Sequence, residues 1–367
     1  MGHRNKRAMN DTQPRVRVGI LGASGYAGAE LIRLLARHPK AQIALLTAKR
    51  HVGERIDDIF PHLAGLGLPR LAGLAGDSVA EAGLDVVFCA LPHGITQEVA
   101  TGLLTGPDGN GGGLKIVDLS PDFRLADADT YAAAYGRAHA APGLQHEAVY
   151  GLTELARDAI SKARLIANPG CYPTAALLPL LPLVSAAQID PHDIIIDAKS
   201  GVSGAGRGLK ERMLAAEVGE GVAAYGIANH RHSPEIDQAL SGAAGAAVMA
   251  NFTPHLIPMN RGILATIYVR LAGGASAGDL RATLSNQYED EPFVTVVAEG
   301  VSPATRHVRA SNRCLIGVFA DRVKGRAILI AVLDNLVKGA SGQAVQNMNL
   351  ACQLPEGMGL DQLPLFP

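Results

Sequence analysis

Of the four cysteines in this chain, Cys171 is the one whose setting suits chemistry. It lies in ANPGCYPTA (167–175), where Asn-Pro-Gly marks a turn and Pro173 fits the first turn of the helix that TAALL begins. A cysteine at a helix N-terminus faces unpaired N–H groups and the positive end of the helix dipole, and both stabilise a thiolate. Cys89 and Cys314 fall in apolar runs and Cys352 lies near the C-terminus, so these three read as structural. A single cysteine is more often just a small buried hydrophobe. The turn and the helix start favour a nucleophile here.

A thiolate nucleophile needs a proton donor and acceptor, and NHRHSPEI (229–236) is the best source. If Pro234 opens a helix, Glu235 is placed to orient an imidazole. The spacing does not choose between His230 and His232, and either fits an ordinary surface histidine as well. His-x-His also suits a metal, but no third ligand of suitable spacing accompanies it, so no metal is expected. The small-residue loop GVSGAGR (201–207) follows the apolar run IIIDAKS. It either lets a flat ring lie against the backbone or merely connects two elements.

A second chemical feature lies near the N-terminus. The run VRVGIL (16–21) reads as a strand, GASGYAG (22–28) follows, and ELIRLLARH (30–38) reads as a helix stopped by Pro39. Glycines at this spacing let phosphates approach the N–H groups at the helix start, although a plain glycine-rich turn has the same composition. The strand before and the helix after favour nucleotide binding. The second strand, Gln42 to Thr47, ends without the Asp or Glu that holds the ribose hydroxyls of NAD. It offers Thr47, Lys49 and Arg50 instead, a set suited to a 2′-phosphate or to a solvated basic loop. NADP is the expected cofactor.

These residues need a scaffold, and 367 residues predict two domains at roughly 150 apiece. Hydrophobic residues are 48% and the net charge is −1, which excludes a disordered chain and gives no electrostatic reason to bind nucleic acid or a membrane surface. The uncharged span from Leu165 to Ile189 contains Pro169, Pro173, Pro179 and Pro182, so a membrane helix is not expected. Unpaired cysteines and an N-terminus without a signal-like apolar stretch predict a cytoplasmic protein. Leu84–Leu91 and Leu114–Leu119 extend the strand–helix alternation of a parallel sheet, with a flexible loop at 106–113. After Asn168 the strands (Ile194–Ala198, Ile263–Leu271, Thr295–Ala298, Cys314–Ala320 and Ala327–Leu333) have fewer helices between them, which predicts a mixed or antiparallel sheet. The predicted divisions are a tail over 1–15, a cofactor domain over 16–170 and a catalytic domain over 171–333. Residues 334–349 read as a loop leading into a late helix.

With these motifs assembled, the chain resembles the N-acetyl-γ-glutamyl-phosphate reductase family. The resemblance runs from about residue 17 to 349 and adds DLSPDFRL (118–125), YGLTEL (150–155), HLIPMNRGILAT (255–266) and DNLVKGASGQAVQN (334–347) to the motifs above. It implies a Rossmann-type NADP domain and an α/β catalytic domain like those of glyceraldehyde-3-phosphate and aspartate-semialdehyde dehydrogenases, with 334–367 returning to the first domain. It implies Cys171 as nucleophile and His232 as acid/base, with Arg124, Asn168, Ser200, Gly201 and His230 facing the substrate. The cofactor would meet Gly22, Ser24, Gly25, Tyr26, Ala27, Gly28, Thr47, Arg50, Pro92, Ser203 and Gly204. Asn335 and Lys338 would lie near its nicotinamide end. The implied reaction is NADPH-dependent reduction of an acyl phosphate through a cysteine thioester, in a homodimer or homotetramer. An enzyme for aminoadipyl or aspartyl phosphate, or a non-catalytic NADP-binding regulator, are the alternatives. Pro179 and Pro182 imply that the helix after Cys171 is short or kinked.

Overall fold

The computed structural model describes residues 15–74, 79, 81–105 and 113–367. The N-terminal tail through residue 14 and most of the 106–113 loop lie outside the described residues.

The apolar runs of the first half form β1 (Val16–Leu21), β2 (Ala41–Thr47), β3 (Leu71–Ala72), β4 (Val86–Cys89), β5 (Lys115–Asp118), β6 (Val149–Tyr150) and β7 (Leu165–Ala167). They pair in the order β3-β2-β1-β4-β5-β7-β6, and every pairing is parallel. Helices α1 (Tyr26–Leu35), α2 (Thr96–Thr105), α3 (Ala128–Tyr135) and α4 (Thr153–Lys162) belong to this half. Burial on both faces explains why β4, VVFC, carries no polar residue. Strand order reverses between β1 and β4. In an open parallel sheet the crevice at the carboxyl ends of such strands is where ligands bind.

The second half builds a mixed sheet from β8 (Ile189–Gly201), β9 (Ala223–Ala224), β10 (Asn251–Ile257), β11 (Ile263–Leu271), β12 (Val294–Val296), β13 (Cys314–Ala320) and β14 (Arg326–Leu333). Their order is β12-β13-β14-β11-β8-β10-β9, with parallel β8/β10 and β12/β13 pairs and antiparallel neighbours elsewhere. Helices α5 (Cys171–Ser185), α6 (Ser233–Ala244) and α7 (Ala277–Gln287) lie on this half, with α5 at its centre. The parallel-plus-mixed architecture is as the sequence predicts. Strand β10 was not among the expected strands: Asn251, Thr253 and His255 alternate with buried Phe252, Pro254 and Leu256 as a strand requires, but a proline inside the run argues against one.

Along β8, β11 and β14 one set of residues is buried beneath the helices and the other is half-exposed. On the open face Tyr268 stands opposite Ile195 on one side and Ile328 on the other.

Helix α5 is buried almost all round and runs 15 residues through both prolines, neither short nor interrupted. Pro182 cannot donate to the carbonyl of Leu178, and the Tyr288 hydroxyl donates to it instead, at 2.5 Å. The late segment is helical sooner than expected. After β14 a π-helical turn, Val337–Ser341, leads directly into α8 (Gly342–Ala351). Helix α8 packs on α4, α1 and β5, which ties the end of the second sheet to the first.

Candidate functional site

Strand β7 of the first sheet leads through Asn168, Pro169 and Gly170 into α5, so Cys171 stands where the two sheets meet. Gly170 adopts an extended conformation before the helix, and its N–H donates to Glu235 Oε1 at 2.8 Å. Cys171 is the first helical residue, as its sequence setting predicts. Two glycines make room around it. A Cβ on Gly170 would lie 2.6 Å from His232 Nε2 and 2.9 Å from Arg124 Nη1, and one on Gly339 would lie 2.7 Å from Cys171 Cβ. His232 Nε2 and Arg124 therefore crowd Gly170, the residue directly before the thiol.

Burial pushes the Cys171 thiol above its ordinary value, while the charges of Arg124 and Arg231 and the Tyr172 backbone N–H pull the other way. The helix terminus alone does not leave a resting thiolate, so a base must take the proton. His232 is available for that. Burial, then the charges of Arg231, Arg124 and His230, hold it well below 6.5 and keep it neutral. Its Nε2 lies 3.4 Å from Arg124 Nη1, and because Arg124 has only donors, Nε2 is the acceptor in this contact. Its Nδ1 is buried without a partner. His230 is also pushed down, to about 4, by burial and Arg231. Its ring sits edge-on to Tyr172, Tyr225 and Phe252, and its Nδ1 accepts from the His232 N–H at 3.1 Å.

Glu235 does not orient an imidazole as the sequence suggested. Its Oε1 accepts from Gly170 N–H and from the Tyr150 hydroxyl at 2.8 Å, and its Oε2 pairs with Arg124 at 3.3 Å. Arg124 is held in turn by backbone carbonyls, donating to Asn168 O and Leu119 O at 2.9 Å. It lines the cavity but is only 7% exposed, so most of its fork faces protein.

A cavity of about 820 Å³ runs from this spot to the glycine loop. Gly25, Tyr26, Ala27 and Gly28 line one end, Pro92 lies along it, and Ser200, Ser203, Gly204 and Asn335 line the catalytic side. Asn335 links that side together, accepting from Gly262 N–H at 2.8 Å and donating to Ser203 Oγ at 2.9 Å. Gly22, with φ +87°, makes the turn, since a Cβ there would lie 2.3 Å from Ala90 O. Ser24 faces the other half through its carbonyl, which accepts from Arg207.

The residues fit a dinucleotide phosphate. No side chain caps α1 and no acid occupies its first turn, so its N–H groups stay open to an anion. Thr47 Oγ1 is buried without a partner at the end of β2, beside exposed Lys49 and Arg50. Thr47 is 1% exposed, and neither it nor Lys49 nor Arg50 lines the cavity, so what the end of β2 offers a 2′-phosphate is the two exposed cations.

Three expected contacts need correction. Lys338 is fully buried and does not line the cavity; its Nζ pairs with Glu154 at 2.5 Å and donates to Gln346 Oε1 at 2.9 Å. The Asn168 side chain is 1% exposed and spans Ala340 O and Asn347 Nδ2, behind the site rather than in it. Gly201 is a close-packing position, where a Cβ would lie 2.8 Å from the backbone of Asn260 and Arg261. Sequence reasoning missed Tyr150 and Tyr172 as parts of the site. The YGLTEL motif carried Tyr150, but its partner lies 85 residues away. Among the described residues no group of three His, Cys, Asp or Glu is arranged to hold a metal ion, and no helix is long and apolar enough to cross a membrane.

Comparison with known proteins places this geometry in context. Residues 17–163 match the family model described as semialdehyde dehydrogenase, NAD binding domain, and residues 171–335 match its dimerisation domain. The chain is 61% identical to a Rhodospirillum rubrum protein named N-acetyl-gamma-glutamyl-phosphate reductase, over 96% of this chain and 99% of that one. A protein of the same name from Afipia carboxidovorans is 56% identical, over 94% and 97%. An Arabidopsis thaliana protein named as a probable chloroplastic form is 54% identical, over 96% and 86%. Among solved structures, aspartate semialdehyde dehydrogenase II from Vibrio cholerae superposes with a TM-score of 0.68 at 16% identity, over 92% of this chain and 99% of that one. The Candida albicans aspartate semialdehyde dehydrogenase, solved with NADP, gives 0.65 at 16%, over 92% and 98%.

Proposed function

This chain belongs to the N-acetyl-γ-glutamyl-phosphate reductase family of semialdehyde dehydrogenases, and on that premise we propose how its own residues carry out the reaction. The enzyme reduces N-acetyl-γ-glutamyl phosphate with NADPH to N-acetyl-glutamate 5-semialdehyde and releases phosphate. The observation that carries the reading is the crowding of His232 Nε2 and Arg124 about Gly170, directly before Cys171, at one end of a cavity whose other end is the glycine loop.

Cys171 is the nucleophile. As its sulfur bonds to the acyl carbon, the thiol proton passes to His232, and the carbon–oxygen bond to phosphate breaks, leaving a thioester. Bound NADPH supplies the hydride that reduces this thioester. His232 then returns its proton to the thiohemiacetal oxyanion and accepts it again as the carbon–sulfur bond breaks, giving aldehyde and thiolate. The departing phosphate takes up a proton from water. Arg124 and Glu235 are positioning residues: Arg124 contacts His232 Nε2, and its partner Glu235 holds the N–H of Gly170, the residue before the nucleophile. When NADPH is bound, Gly25 to Gly28 would hold its pyrophosphate, Arg50 at the end of the strand that closes with Thr47 would meet its 2′-phosphate, and Ser203, Gly204 and Asn335 would hold its nicotinamide end.

Domain boundaries follow the same reading: 16–170 with 334–367 for cofactor, and 171–333 for catalysis and assembly. The open sheet face carrying Ile195, Tyr268 and Ile328 is the proposed contact of a homodimer or homotetramer, and Tyr268→Arg should shift the sedimenting species to monomer. The proposed compartment is the cytoplasm, in keeping with four free cysteines. A panel of N-acetylglutamyl, aminoadipyl and aspartyl semialdehydes, each with NADP and NAD, tests the substrate. The account expects the N-acetylglutamyl compound with NADP to give the highest kcat/KM by far, and a preference for another member would overturn it.

A further inference from the structure

Among the described residues the cavity wall contains five cationic side chains and no carboxylate: Arg124, Arg207, Lys210, Arg212 and Arg231. Three of the five are engaged with protein. Arg124 is buried against two carbonyls and Glu235. Arg207 lies over the Phe60 ring and donates to Ser24 O, and Lys210 donates to Ala205 O. Among the described residues neither Arg212 nor Arg231 has a side-chain hydrogen bond or ion pair, and of the two it is Arg231 that stands between the site histidines.

The local backbone explains how Arg231 is presented. His230 and His232 are 9% and 5% exposed, whereas Arg231 between them is exposed at the cavity wall. The turn is fixed by the Ser233 N–H donating to His230 O at 2.8 Å, and the Tyr135 hydroxyl lies 3.5 Å from Arg231 O. Arg231 therefore projects from a braced turn. Its charge bears on Cys171 and on both histidines.

We propose that Arg231 binds the phosphoryl group of the acyl phosphate and, in the reverse reaction, inorganic phosphate. This rests on the reading above that Cys171 attacks an acyl phosphate. The phosphoryl group is bonded through one oxygen to the carbon that sulfur attacks, so its binding cation must lie beside the thiol and the histidine. The substrate's α-carboxylate is separated from that carbon by the length of the side chain. Negative charge builds on phosphate as it departs, and an unpaired guanidinium with a planar fork is suited to meet it. Exposure of Arg231 also gives the released anion a route to solvent.

The test is initial-rate kinetics of semialdehyde oxidation by NADP with wild type, Arg231→Met and Arg231→Lys, varying phosphate and semialdehyde separately. KM for phosphate should rise roughly 10- to 100-fold in Arg231→Met, the loss expected for one charged hydrogen-bonding partner, and Arg231→Lys should recover part of it. KM for the semialdehyde, and the size of the first NADPH burst without phosphate, should stay within about twofold of wild type. A rise in the semialdehyde KM with an unchanged phosphate KM would overturn the proposal and place the α-carboxylate at Arg231. Unchanged values for both would equally overturn it, leaving a solvated surface charge. Failure of wild type itself to require phosphate would instead reject the parent reading.

Discussion

Gly170→Ala tests the crowding at the nucleophile with a single methyl group. Residue 170 has φ −66° and ψ 153°, which alanine adopts without strain, so the backbone is not what changes. The added Cβ would stand 2.6 Å from His232 Nε2, where ordinary contact begins at 3.4 Å, so the ring must retreat by about 0.8 Å. His232 and Arg124 are both almost fully buried, so a displaced ring moves toward the cavity and away from its place beside Gly170 and the nucleophile. A displacement near 1 Å at the reacting groups costs on the order of 100-fold in rate. Overpacking of this kind costs about 1–3 kcal/mol in stability, and part of that is offset by the lower entropy of an unfolded chain with alanine. The assay is kcat for semialdehyde oxidation at saturating phosphate and NADP, with NADPH affinity from fluorescence and Tm as controls. NADPH affinity should hold, because the glycine loop lies at the far end of the cavity. A kcat within threefold of wild type would refute the placement of His232 against Gly170 and the acid/base role built on it.

Other perturbations follow from the same geometry. His232→Asn should lower kcat about 10²- to 10⁴-fold, whereas His230→Asn should act mainly on KM; pre-steady-state and steady-state rates separate the two. Because burial lowers the His232 value, its neutral form persists below pH 6.5, so the acid limb of kcat/KM should fall below that pH. The unfolded chain takes up the proton that folded His232 refuses, so this group's contribution to stability is present above pH 6.5 and is lost as pH drops below it, which Tm against pH would show. Lys338→Met leaves Glu154 without its cation in a fully buried seam and should cost about 3–5 kcal/mol in urea unfolding, while Lys338→Met with Glu154→Leu recovers much of it. Loss of NADPH binding with stability intact would restore Lys338 to the cofactor site. Arg50→Glu should weaken NADPH more than NADH in a titration, and equal losses would remove this loop from the 2′-phosphate.

The parts of the site legible in the sequence are those whose signal is local. A strand, a glycine turn and a helix are contiguous, so β1, Gly22 and α1 could be read together, and Cys171 announced its helix start through Pro173. What stayed hidden depends on partners far along the chain. Lys338 in a motif of small residues looks like a cofactor ligand until Glu154, 184 residues away, is found against it. Glu235 lies three residues from His232, yet its carboxylate turns toward Gly170, Tyr150 and Arg124, which three other segments supply. Arg124 carries a fork suited to an anion, and only the fold reveals that backbone carbonyls already occupy much of it. In the helix through Pro179 and Pro182, Tyr288, from beyond α7, satisfies the Leu178 carbonyl, to which Pro182 has no N–H to donate.

The central claim is that Cys171 carries the acyl group as a thioester and that phosphate must remove it. The direct measurement is a stopped-flow absorbance trace at 340 nm of N-acetyl-glutamate 5-semialdehyde oxidation by NADP, with enzyme freed of phosphate. The account predicts one burst of NADPH per active site and then a stall, with turnover restored by phosphate or arsenate and no burst from Cys171→Ala. Sustained turnover without either anion would mean that water removes the acyl group, and a burst from Cys171→Ala would mean that another residue carries it; either result would contradict the account.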